Sequence, residues 1–202
     1  KFFFAIVVVS MIGNEYSNKT IKQNLIDGLS KKEFILSKFY AIAFISLIST
    51  VVIFVIGLLL GFIYSSYTEI GIIFRETEFL LGYFVKLLGF FSFCLFLAVL
   101  AKRSAFALAF LFVDFILEWI AYAILVWKTN DDIATQIQNF FPLKSMYKLI
   151  DHPGLRIAAS KMPDKKELIH DYAVHFHEIV IVLGWTALFV FLSYRLLKKR
   201  DL

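Results

Sequence analysis

Residues 79–127 read FLLGYFVKLLGFFSFCLFLAVLAKRSAFALAFLFVDFILEWIAYAILVW, two apolar runs of 23 and 24 residues separated by Lys102-Arg103. A bilayer-spanning helix needs about 20 mostly apolar residues. The stretch therefore predicts a helical pair that crosses a membrane twice and turns on two basic residues. The other charged side chains in it are Lys86, Asp114 and Glu118.

Outward from that pair, Phe39 to Tyr64 and about Val174 to Tyr194 are apolar enough to cross as well. Phe2 to Ile12 gives only eleven apolar residues after Lys1, which reads as the end of a span whose first half is missing. Composition agrees with the spans. Of 202 residues 60% are hydrophobic and 18% charged, against about 25% charged in soluble domains, a balance no soluble core of this size hides. Cys94 is the single cysteine, so neither a disulfide framework nor a Cys-based zinc site is expected. The prediction is an all-α integral membrane protein, a helical bundle forming one domain over 1–202, with spans at 39–64, 79–101, 104–127 and 174–194.

The basic residues fall in short clusters beside apolar runs, a topology signal rather than a nucleic-acid stripe. Residues 13–38, the 101–104 turn and the tail from Arg195 carry eleven Lys or Arg against four acids, whereas 65–78 and 128–173 carry eight basic and nine acidic residues. The first set belongs on the cytoplasmic side. That puts 14–38 and the C-terminus inside and 128–173 outside. The outer loop holds all three prolines, and Ile133, Ile137 and Phe140, like Met146, Tyr147 and Ile150, recur at helical spacing. Short amphipathic helices on or near the membrane surface are expected there.

The inner stretch 14–38, NEYSNKTIKQNLIDGLSKKEFILSK, is heavily punctuated. Thr20 with Gln23 forms a capping-box pattern, Ile21, Leu25, Ile26 and Leu29 make one apolar face, and Gly28 suits the end of a helix. Ser30 with Glu33 then starts a second helix that runs into the first complete span. On the residues alone, the short helix reads equally well as a membrane-surface element and as a docking element for a cytoplasmic partner.

Inside the membrane, Asp114 and Glu118 share a face, and Lys86 is placed at a depth where it reaches Glu118, as an ion pair or as part of a polar path. Gly57 and Gly61 permit close helix contact, more naturally within the chain than between copies. Trp127 fits an interfacial belt, and His170, His175 and His177 read as solvated residues at the start of a span rather than a metal site.

The order Glu15, Thr20, Asp27-Gly28-Leu29, Ser30-Lys31 and Lys38 between two spans resembles the permease subunits of bacterial ATP-binding cassette transporters of the type-2 exporter family. Lys19 stands where the family has Gly, and Lys31 where it has Arg. The resemblance implies a six-span subunit of the bacterial inner membrane, with a coupling helix between spans two and three and a re-entrant outer hairpin falling at 128–173. It implies docking through Glu15, Thr20, Ile21, Leu25, Gly28 and Ser30. It also implies a second permease copy and a separate ATPase that holds ATP and magnesium. No Gly-Lys pair occurs here, so the chain has no P-loop of its own. The expected function is export of a substrate with no cofactor on this chain. An intramembrane enzyme or an ion-coupled carrier using Lys86, Asp114 and Glu118 are the alternatives.

Overall fold

The computed structural model describes residues 2–64, 77–150 and 173–200, and every regular element among them is a helix. In chain order these are α1 (Phe2–Ser17), α2 (Thr20–Ile26), α3 (Lys31–Tyr64), α4 (Glu78–Ala101), α5 (Ser104–Lys128), α6 (Asp131–Gln138), α7 (Pro142–Lys148) and α8 (Phe176–Lys198). Four of them, α3, α4, α5 and α8, are long and apolar enough to cross a membrane. Two helices outrun their apolar stretches. α1 continues past Gly13 and Asn14 to Ser17, and α8 continues past Tyr194 to Lys198, where Arg195 and Lys198 suit the negative end of a helix dipole.

The centre of the bundle is α4. It packs against α1, α3, α5, α7 and α8, and 72% of its apolar window is buried, against 6% for α5. Phe91, Leu95, Ala98 and Val99 are enclosed on all sides. By contrast α5 and the half of α3 beyond Thr50 turn Phe112, Leu117, Ile56 and Leu59 outward, as helices do when the surrounding solvent is hydrocarbon.

Close packing on α4 depends on Gly89, where a Cβ would sit 2.7 Å from Val182 Cγ1 and 3.2 Å from Met146 Cε. Gly57 and Gly61 behave differently. Among the described residues nothing lies within 4 Å of a Cβ at either position, so the internal contact their spacing suggested is not made there. The reason is that no other described helix lies beside that part of α3.

The two short helices do not lie along the surface. Three contacts place the tip between them and the body of α7 well inside the bundle, counting 1.5 Å of rise per residue from the helix ends. Glu118, ten residues before the end of α5, meets the start of α7. Trp185, nine residues into α8, donates its indole N–H to the Phe140 carbonyl at 2.9 Å. Gly89, eleven residues into α4, faces Met146. All three depths come out at about 14–16 Å. α6 therefore runs inward along α5 and α7 runs back, with Lys148 reaching Glu178 near the start of α8 at 3.0 Å. Ile133 and Ile137 face outward while Ala134 and Gln138 face the bundle. The apolar stripe of α6 is thus a lipid-facing one.

Substituting Gly89→Leu should lower the thermal stability of the purified protein by about 1–3 kcal/mol through overpacking against Val182 and Met146. Gly57→Leu, facing open space, should leave it within about 0.5 kcal/mol. Detergent thermal unfolding of the two variants provides the comparison.

Candidate functional site

At the end of the bundle rich in Lys and Arg, α1 gives way to α2 through a tight turn. The Lys19 carbonyl accepts the first helical bonds, from Lys22 and Gln23, so Lys19 is the cap, held at φ 57 in the left-handed region. That conformation costs a non-glycine residue roughly 1–2 kcal/mol. Thr20 is consequently the first residue of α2 rather than its cap, and its hydroxyl donates to the Glu15 carbonyl at 3.3 Å. The capping box expected of Thr20 and Gln23 does not form, because the left-handed residue has moved the helix start by one position.

The other end of α2 closes on Gly28 at φ 103. The Leu29 amide donates to Asn24 and the Gly28 amide to Leu25, the paired bonds of a Schellman stop. Two residues on, Ser30 and Glu33 bond reciprocally. The Ser30 amide donates to Glu33 Oε2 at 2.8 Å, and the Glu33 amide to Ser30 Oγ at 3.2 Å. Stop, elbow and restart are thus fixed by hydrogen bonds within ten residues.

Charged side chains fasten this elbow to the bundle. Lys38 pairs with Glu15, joining α3 to α1, and the two side chains are only 16% and 18% exposed. Lys31 donates to the Arg200 carbonyl at 2.8 Å and the Lys198 carbonyl at 3.4 Å, covering the end of α8. Arg200 in turn donates to the carbonyls of Val99 and Leu100 at the end of α4. Basic side chains on the last carbonyls of a helix satisfy orphan acceptors and complement the dipole.

The six residues singled out for docking therefore divide. Ile21 is 2% exposed and Leu25 packs against the same cluster, so both hold α2 to its own chain. Glu15 is occupied by Lys38 and Thr20 by Glu15. Gly28 and Ser30 shape the elbow. What α2 turns outward is Lys22, Gln23, Ile26 and Asp27, with Leu29 just after it, and Ile26 is 74% exposed. The single apolar face expected of Ile21, Leu25, Ile26 and Leu29 is split, with Ile21 and Leu25 on the bundle and Ile26 and Leu29 turned away from it. Nothing in a periodicity distinguishes a face that packs inside from one left open.

At the opposite end, Lys86 and Glu118 are not paired with each other as expected. They hold the two ends of α7. Glu118 accepts the Leu143 amide at 2.7 Å and the Lys144 amide at 3.1 Å, whereas Lys86 donates to the carbonyls of Tyr147 at 3.1 Å and Ile150 at 3.3 Å. A carboxylate on free amides and an ammonium on free carbonyls both follow the helix dipole, and such charge-assisted bonds contribute about 1.5–3 kcal/mol each. Asp114, one turn from Glu118, keeps a buried Oδ2 with no hydrogen bond among the described residues. His175 and His177 stack at 5.4 Å, His170 lies outside the described residues, and among those described no three metal-ligating side chains converge.

Replacing Lys38 by Met should destabilise the protein by about 3 kcal/mol, because Glu15 is left charged and enclosed. Adding Glu15→Gln should recover most of that loss. The check is a double-mutant cycle by thermal unfolding in detergent, in which additive losses would contradict the pairing.

A family model described as ABC-2 family transporter protein matches residues 2–202. No curated protein and no solved structure matches the chain.

Proposed function

The chain belongs to the ABC-2 family of transporter proteins, and on that premise we propose that it is the permease of an ATP-binding cassette exporter whose ATP is hydrolysed by a separate subunit. It is a multi-pass membrane protein and a transport component. In the proposed assembly it sits in a bacterial cytoplasmic membrane with the Lys- and Arg-rich end and the C-terminus inside, beside a second permease copy. ATP and magnesium are bound by the ATPase, and this chain carries no cofactor.

The observation that carries the proposal is the double fastening of α2. Its inner side is held by Ile21 and by the Thr20 hydroxyl, next to the Glu15 to Lys38 pair, while Ile26 and Leu29 project outward among Lys22, Gln23 and Asp27. A load applied to the outer side passes to α1 and α3 through an ion pair and buried apolar contact rather than through a loop. Such an element suits a partner that moves on ATP binding. The alternatives are less well supported, since Lys86 and Glu118 are engaged with α7 and, among the described residues, neither acid hydrogen-bonds a histidine or serine that would serve an intramembrane enzyme.

The ATP-binding cassette ATPase of the proposed assembly should be captured by the purified permease. The double variant Ile26→Asp and Leu29→Asp should weaken that capture at least about tenfold, in line with loss of an apolar hot spot, at unchanged thermal stability. Ile21→Asp should instead lower stability. Undiminished capture by the outward pair variant would overturn the assignment.

A further inference from the structure

Between α3, α4 and α8 an apolar crevice of about 480 Å³ opens on the outside of the bundle. Ile35 and Phe39 form one wall, Leu183 and Ala187 the other, Leu88 lies at the back, and the only charged lining residue is Lys32. Thr186 also lines it, but its hydroxyl is turned onto its own helix, donating to the Val182 carbonyl at 2.8 Å.

Length and charge together identify an occupant. From Tyr194 to Leu183 the crevice follows eleven residues of α8, about 16 Å of helix. One leaflet of a bilayer contributes about 15 Å of hydrocarbon. Lys32 stands at the end of this track, on the side where the helix ends collect Lys31, Lys198 and Lys199. Lys31 is engaged with carbonyls, whereas Lys32 is exposed and forms no ion pair among the described residues. An apolar track one leaflet deep with an open ammonium at its headgroup end matches a single lipid carrying negative charge.

We propose that the crevice binds one anionic phospholipid of the surrounding leaflet, one of its two acyl chains lying between Phe39 and Ala187 and its phosphate at Lys32. The proposal requires membrane residence but neither export nor an ATPase, so it stands or falls separately from the transport assignment.

The test uses the full chain reconstituted into bilayers of equimolar phosphatidylcholine and phosphatidylglycerol with identical acyl chains, followed by gentle extraction and native mass spectrometry of the retained lipid. One phosphatidylglycerol should be retained per chain, favoured about fivefold over phosphatidylcholine, the factor that one lysine near a headgroup supplies. Lys32→Glu should erase the preference. Ala187→Phe, which fills the crevice from an exposed position, should remove the retained lipid of either kind. Equal retention of the two lipids by the unaltered chain would overturn the proposal, as would retention unchanged in both variants. Disulfide cross-linking of two copies through Ala187→Cys, in a Cys94→Ser background, would also overturn it by showing that protein covers the crevice. Should either variant misfold, the comparison of the two lipids on the unaltered chain still decides.

Discussion

A helix that begins or ends in hydrocarbon leaves four amides or four carbonyls without water to satisfy them, and each unsatisfied group costs several kcal/mol. α7 begins about 14 Å inside the bundle, where that constraint is at its most severe. Glu118 and Lys86 meet it from two different spans, one at each end of the helix. A charge pair between those two side chains would neutralise them just as well but would leave α7 uncapped. Lys86 and Glu118 are therefore explained by the backbone they satisfy before any transported species is invoked, whereas Asp114 satisfies none among the described residues.

The same logic recurs at the Lys- and Arg-rich end in a milder form. Lys31 covers the last carbonyls of α8, Arg200 those of α4, and Lys38 neutralises a carboxylate placed on the last turn of α1. Each contact joins elements far apart in sequence, so the helix ends there move as a group. α2 is fastened to that group through Ile21 and the Thr20 hydroxyl and also turns Ile26 away from it. The hairpin of α6 and α7 rests on the same central helix, α4, through Lys86 and Gly89. One helix thus contacts both the Lys- and Arg-rich end of the bundle and the hairpin at the other end.

The spans were legible because length and hydropathy suffice for them, as Phe79 to Ala101 against the observed Glu78–Ala101 illustrates. The Ser30 and Glu33 box and the Gly28 stop were legible for a different reason: their chemistry is local, completed within six residues. What escaped was everything set by a distant neighbour. Ile21 and Ile26 were assigned to one face and are opposite in burial. Lys86 and Glu118 were recognised as coupled by depth, but the short helix expected around Met146 was not placed between them. Gly89 matters and Gly57 does not, because Val182 lies against one and nothing lies against the other. Thr20 was displaced from its cap by a left-handed Lys19, at the position where the resembled family has Gly.

The most direct measurement of this account is the depth of the hairpin tip. A spin label at Phe141, in a Cys94→Ser background reconstituted in lipid, should report a site about 14 Å inside the bilayer surface, shielded from aqueous relaxants. A label at Asp131, where α6 begins, should be fully accessible to them. If Phe141 proves as accessible as Asp131, α7 lies at the surface, and Glu118 and Lys86 do not cap a helix inside the membrane.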